Sequence, residues 1–362
     1  MKASTTVTPT SDFPLHPLSW SRAAQLANQI WFGIDTANRF MLLRRWGVER
    51  TEQLEYTFLR KHQETHFLDG LQKLGLADEA PAVASAKYHV LSNVLGGLDM
   101  GYREDDQGRA WVFYFPPSPF GASSMQPGVG ILCVPTPVIL AGMRAWHANN
   151  GVLLGEPRLR FTVTDLLSEG GPFDAGFFDL ADEDVPEAER LRVRLGDPTP
   201  VPGPPPSLGS VTWPQERRDA ALQKYSAQYA LGGLAQIALR SSLDEAAIIA
   251  EASVTALFTS WARPLIAEFG IDDPDPRERL ARLMTETFAL VGERFERDSD
   301  AGRIVLRSVS SRMAVPEYDG WETTPGPILD AFARGWSVVS RAIGDPLTVT
   351  ARHGDLPTWI IE

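Results

Sequence analysis

The chain has 362 residues, 43% hydrophobic and 22% charged, with 28 prolines and 30 glycines, a globular composition whose length suits two domains better than one core. Its net charge of −12 gives no general electrostatic reason to bind nucleic acid or an anionic membrane. No stretch reaches the ~20 apolar residues that span a bilayer, and the single cysteine, Cys133, excludes an intrachain disulfide and a multi-cysteine zinc site.

Residues 1–18 are polar and proline-interrupted, without the apolar core of a secretory signal, and are expected to form a flexible arm on a soluble, cytoplasmic protein. Ser19 or Ser21 is placed to cap a helix that Gly47 ends, and a second helix starts at Thr51 and stops at Gly75. A third runs from Pro81 to Leu95. The segment 102–109 predicts a turn leading into an apolar strand over 110–115. A Pro/Gly-rich loop, 116–130, is followed by an apolar run, 131–134, a helix after Pro137, a turn at Gly155 and two strands. The acidic run 181–190 and the proline-rich run 196–209 mark a linker expected to be extended and semi-rigid. Helices over 214–242, 244–269 and 276–292 come next, then a charged turn, a strand over 304–309, a loop, and a closing helix with two strands.

This succession occurs twice. Pro135 matches Pro325, Pro137 matches Pro327, Arg144 matches Arg334 and Trp146 matches Trp336, with Gly155 and Pro157 answered by Gly344 and Pro346. Gly75 and Gly97 match Gly270 and Gly292 at a separation of 195 residues. The expected fold is α+β and internally duplicated, each half an antiparallel sheet packed with helices. The expected organisation is an arm (1–18), a first repeat domain (19–180), a linker (181–210) and a second repeat domain (211–362). Two copies of one unit commonly sit about a pseudo-two-fold, as the subunits of a homodimer do, and a homodimer of the whole chain is a second way to meet that geometry.

The closing succession of helix, turn, strand, Gly-Asp and aromatic strand is carried by Gly335–Trp336, Gly344, Gly354–Asp355 and 359–361. It resembles the 4-vinyl-reductase type of small-ligand-binding domain, which bacterial catabolic sensors also use for aromatic effectors. The resemblance covers about forty residues of the second half and, more weakly, the first. It implies an α+β ligand-binding fold. The family's pattern carries cysteines around the Gly-Asp turn, where this chain has Ala351 and Thr358, so a cysteine-based metal site does not carry over.

The candidate chemistry lies in the first half. His62 and His66 are one helical turn apart, a spacing at which two imidazoles can share one metal ion. The glutamate between them, Glu64, does not stand where the HExxH metalloprotease signature needs it, and Asp69, three residues after His66, is better placed. At the separation of 195, His62, His66 and His89 answer to Leu257, Trp261 and Met284, large apolar residues that are usually buried. Three imidazoles at interior positions of one domain suggest a shared polar pocket. The expectation is a divalent metal (Zn, Fe or Mn) on His62, His66 and His89, with His89 and Asp69 as catalytic groups. Trp111, Phe113 and Phe115, on alternate residues, would present one aromatic strand face, and His147 beside Trp146 a pocket mouth, for a small-molecule substrate. Ordinary core packing and singly satisfied histidines explain the same residues. Cys133 and His353 read as structural, and Arg44, Arg45, Arg144 and Arg334 as salt-bridging cations. No phosphate loop, dinucleotide fingerprint or nucleophile elbow is present. Two functions follow. One is an enzyme of small-molecule catabolism, hydrolase or lyase, acting on a small aromatic or apolar organic acid. The other is a non-catalytic ligand-binding or sensor protein.

Overall fold

The computed structural model describes residues 8–9, 18–116, 118, 121–122, 132–300, 302–311, 313 and 321–362. A two-residue strand, β1 (Thr8–Pro9), comes first. Ser19, not Ser21, caps α1 (Trp20–Ala27), accepting from the Arg22 amide at 3.3 Å. The helix passes through a π-helical turn, Asn28–Phe32, into α2 (Gly33–Trp46). α3 (Val48–Leu74) begins before Thr51, whose hydroxyl donates back to the Gly47 carbonyl at 2.8 Å instead of capping. Gly75 ends α3 with φ at 72°, and the Leu76 amide returns to the Leu71 carbonyl at 2.8 Å. That Schellman closure needs a left-handed residue, which favours glycine. α4 (Pro81–Leu95) opens on proline, where no amide hydrogen is required.

The remaining elements are β2 (Met100–Glu104), β3 (Ala110–Tyr114), β4 (Gly121–Ala122), β5 (Leu132–Cys133), α5 (Thr136–Ala145), α6 (Asn150–Leu154), β6 (Leu159–Asp165), β7 (Asp174–Leu180), β8 (Leu191–Val193), α7 (Gln215–Arg240), α8 (Leu243–Glu268), α9 (Pro276–Ala289), β9 (Arg294–Asp300), β10 (Arg303–Ser310), α10 (Gly326–Ala342), β11 (Val349–Arg352) and β12 (Thr358–Ile361). Much of the charged stretch around 294–303 is strand and not turn. Arg307 pairs with Asp298 at 3.2 Å and Arg297 pairs with Glu278, so the charges on this hairpin are matched in place. None of the described helices is long and apolar enough to cross a membrane.

The α+β class holds. The chain forms two units, each with a mostly antiparallel five-stranded sheet and its own helices. The central unit takes Leu42–Ser123 and Ile131–Arg218, and the terminal unit takes Asp219–Glu362 with the N-terminal residues up to Met41. The N-terminal helix therefore packs with the second half of the chain. Its anchor is Trp31, fully buried between Phe258 and Phe288 at centroid distances of 5.8 and 5.1 Å, with Nε1 donating to the Thr287 carbonyl at 2.8 Å. Phe32 stacks on Tyr225, and Arg22 pairs with Glu268 at 2.7 Å. These partners are 193 to 257 residues away, beyond the reach of local patterning.

In the terminal unit the strand order is β1-β9-β10-β12-β11, with α8 and α10 packed together around Trp336, Phe258 and Phe288. In the central unit the order is β2-β3-β7-β6-β8, antiparallel except for β6 with β8. Alternation along its strands makes two faces. Trp111, Phe113, Ala175 and Phe177 form a cluster on the outer face, joined by Phe115 and Phe173. Val112, Tyr114, Phe161 and Phe178 point the other way, toward α4 and α5. The proline-rich linker is docked rather than free. Gly203 bridges Tyr102, Pro202 lies over Gly101 beside Phe113, and the Thr199 hydroxyl donates to Thr164 at 3.0 Å.

Gly176 in β7 sits where a Cβ would meet the Thr162 carbonyl at 2.5 Å and the Phe161 ring at 2.6 Å. Gly176→Ala must push β6 away from β7, and a loss of about 1–3 kcal/mol is expected for such overpacking. Urea denaturation of the variant measures it, and an unchanged midpoint would mean that the strands separate freely.

Candidate functional site

The central unit holds a buried polar constellation between the inner sheet face and helices α3, α4 and α5. His89, one residue after Tyr88 on α4, is buried because that helix face is pressed on the sheet. His147 follows Trp146 in a short 3₁₀ turn, His147–Asn149, between α5 and α6. The two imidazoles stack face to face, centroids 3.9 Å apart and planes 6° from parallel. Phe178 lies near-parallel to both, at 5.6 and 5.9 Å, and Phe161 tilts against His147 at 4.5 Å. An aromatic box thus encloses the pair.

Each imidazole is tied at Nε2. The Tyr114 hydroxyl lies 2.8 Å from Nε2 of His147. Asn150 Nδ2 lies 3.0 Å from Nε2 of His89 and, as an amide nitrogen, donates to it. Gln63 Nε2 in turn donates to Asn150 Oδ1 at 3.0 Å and to the Trp146 carbonyl at 3.1 Å. Arg60 donates to Gln63 Oε1 at 3.1 Å and pairs with Glu64 at 2.9 Å, which balances its charge at the rim. Not every buried group is matched. His147 Nδ1, Trp146 Nε1 and the Ser85 hydroxyl have no hydrogen-bond partner among the described residues.

Electrostatically the site is uncharged. Burial lowers the pKa of His147 to about 3. Burial, with the neighbouring His147 adding to it, holds His89 well below the ordinary imidazole value. Loss of water also raises Tyr88 and Tyr114, so both phenols keep their protons at neutral pH. Neutral imidazoles next to neutral phenols can exchange hydrogen bonds with an uncharged molecule.

The residues singled out in the sequence are distributed as follows. His62 and His66 are neighbours, ring centroids 4.5 Å apart, on α3. The Trp146 indole lies against both His62 and His89, at 4.8 and 5.9 Å. His89 is turned to another network, with Nε2 facing Asn150 and its ring stacked on His147. Among the described residues no three His, Cys, Asp or Glu side chains are grouped to hold a metal ion. The donor set expected for Zn, Fe or Mn therefore does not fit this arrangement. Asp69 is more than half exposed and pairs with Lys73 at 2.5 Å. Its side chain is held at the surface by that i,i+4 pair and is not brought to His89. Trp111, Phe113 and Phe115 do share one cluster, but on the outer face, whereas His147 contacts Tyr114 on the inner face. The pleat puts them on opposite sides of one sheet, so these four residues cannot line one pocket. His353 accepts or donates with Asp330 at 3.0 Å on the surface, and Arg334 pairs with Glu251 at 2.6 Å. Cys133 lies in β5, opposite Gly121.

Tyr114, Gln63, Asn150 and Ser85 were not visible as site residues in the sequence. Tyr114 reads as one more aromatic in an apolar strand. A usable signal was the parity of that strand, which sets Tyr114 apart from Trp111 and Phe113, and the spacing of Ser85 one helical turn before His89.

Acid should destabilise this unit steeply. The unfolded chain protonates an imidazole near pH 6.5, whereas the folded one holds His89 and His147 neutral far below that. As pH falls below ~6.5 the unfolded state binds more protons, so the fold loses about 1.4 kcal/mol per pH unit for each imidazole. Asp174, whose pKa burial raises, acts in the opposite sense but is one group against two. Melting temperature measured from pH 7.5 to 4.5 is expected to drop sharply in the native chain and to flatten in a His89→Phe/His147→Phe double variant.

No known family profile, no curated protein and no solved structure matches the chain.

Proposed function

We propose that the central unit binds a small organic molecule against the His89–His147 pair, and that the chain is a small-ligand-binding protein of the carrier or sensor kind. The observation that carries this is the set of buried groups left without partners beside an otherwise matched network: His147 Nδ1, Trp146 Nε1 and the Ser85 hydroxyl. An unmatched buried polar atom costs about 1–3 kcal/mol; His147 Nδ1 and Trp146 Nε1 belong to rings of the box itself, and a bound partner would account for them. The box itself, Phe161, Phe178 and Trp146 around two stacked imidazoles, suits an aromatic or apolar body with a polar handle.

The terminal unit is the non-binding counterpart in this proposal, and the chain is an internal duplication. Each unit has a hairpin, a helix and a second hairpin whose last strand lies beside the second strand of the first. Trp336 answers to Trp146, but its neighbours are Phe258 and Phe288 rather than histidines. The terminal unit has buried polar groups elsewhere, among them the Arg39–Asp35 pair on α2. A second, catalytic function is a hydrolase or lyase acting on the same molecule. It rests on the 2.8 Å contact between the Tyr114 hydroxyl and His147 Nε2, along which a proton can be delivered.

Native mass spectrometry and thermal-shift screening with small aromatic compounds test the binding proposal. A one-to-one adduct is expected, weakened about tenfold or more in a Tyr114→Phe/His147→Phe variant, which removes both partners of one hydrogen bond and leaves no orphan hydroxyl. A folded chain that takes up none of the compounds would sink it. Conversion of a bound compound to product, lost in the same variant, would decide for the enzyme.

A further inference from the structure

The outer face of the central sheet carries a groove, and part of the proline-rich linker lies in it. Asp165, Ala175, Phe113 and Gly101 are successive partners across β6, β7, β3 and β2, so they form one row on that face. Ala175 and Gly101 keep the row low. On one side of it stand Trp111 and Phe177, ring centroids 4.6 Å apart, and on the other Phe115 and Phe173, 5.9 Å apart. The strap from Thr199 to Gly203 spans the row end to end. At one end the Thr199 hydroxyl hydrogen-bonds Asp165 and Thr164, the latter at 3.0 Å. At the other, Gly203 exchanges backbone hydrogen bonds with Tyr102 at 3.1 and 3.2 Å, and Pro202 lies 3.1 Å from where a Cβ on Gly101 would stand. Three strand spacings of ~4.8 Å separate β6 from β2. Four extended residues reach about that far, so the strap is drawn nearly straight.

We propose that this groove is a second binding site, on the face opposite the His89–His147 pair, for an extended proline-rich segment of a partner protein, and that residues 199–203 fill it in cis as a displaceable plug. The segment seated there shows the chemistry the groove takes. Proline holds a chain extended before it binds, and its apolar ring packs well between aromatic walls. Two positions are read sterically. Gly101 brings no side chain, which leaves room for the ring of Pro202. At Gly203 a Cβ would meet the Tyr102 carbonyl at 2.6 Å, so glycine must follow that proline. The preferred segment is therefore Thr-Pro-x-Pro-Gly, with its threonine on Asp165. The plug is lightly held. Its residues are half-buried, and Val201 is 76% exposed, whereas Trp111 and Phe113 are fully buried. An aromatic surface of this kind is not left bare in water, so the strap leaves only in exchange for a segment of like chemistry.

The probe is a blocked peptide with the sequence of residues 198–206, titrated calorimetrically into the full chain. A Pro200→Ser/Pro202→Ser/Gly203→Ala variant lifts the chain's own strap and leaves every groove residue in place. It is expected to bind the peptide at least about tenfold more tightly than the native chain, whose tethered strap competes at an effective concentration of order millimolar. The same peptide with alanine for its glycine should bind at least about fivefold more weakly. A folded variant that takes up no peptide, or binds it no better than the native chain does, overturns the proposal, as does an alanine peptide that binds equally well. A native chain that dimerises with concentration and returns to monomer on adding peptide assigns the groove to the strap of a second copy, and overturns the choice of partner. If the variant does not fold, hydrogen exchange in the native chain decides. The Tyr102 and Gly203 amides, which bond across the strap, are expected to exchange at least about a hundredfold faster than the amides that pair β3 with β7. Equal protection would mean that the strap does not open by itself, and overturns the proposal.

Discussion

The central unit depends on keeping two imidazoles uncharged inside an aromatic box. His89 and His147 stack at 3.9 Å, a distance at which two imidazolium ions would repel strongly in a medium that cannot screen them. Everything around the pair is consistent with that constraint. Phe161 and Phe178 remove water, and Tyr114 and Asn150 each satisfy one ring nitrogen without bringing charge. Gln63 fixes Asn150 from α3, so the state of the pair is tied to the packing of three helices against the sheet.

The same constraint separates the two units chemically. Around Trp336 the terminal unit packs Trp31, Phe258, Phe288 and Trp359, an aromatic core with one indole hydrogen bond to a backbone carbonyl, and it buries charge elsewhere, in the Arg39–Asp35 pair. The central unit instead sets a polar network of imidazoles among its aromatic rings. Buried polar groups are costly unless matched, so a network that is mostly but not fully matched points to function more than to stability. Among the described residues no three His, Cys, Asp or Glu side chains are grouped to hold a metal ion: His62 and His66 are neighbours, while Nε2 of His89 faces an amide.

The site was partly legible. His89 stood out because the residue 195 positions on, Met284, is apolar, and both are buried. His147 stood out less, since its match is a serine. Tyr114 did not stand out at all. It meets Asp174, 60 residues on, only because β3 pairs with β7 in one register. A slip of one residue in that pairing would send Asp174 to the outer face, and nothing in either strand's own pattern states the register.

The sequence by itself determined most of the local elements and several of their ends. Ser19 and Ser242 cap helices, Pro81 and Pro276 open them, Gly75 closes one, and the alternation of Trp111 with Phe113 sets a strand face. These follow from forces that act within a few residues. Only the tertiary structure decided that the N-terminal helix joins the C-terminal half through Trp31, that Asp69 stays at the surface, and that His89 meets His147 rather than His62. Those outcomes depend on which faces pack together across long stretches of chain. Helical and strand periods say that a residue points inward. They do not say what it meets there.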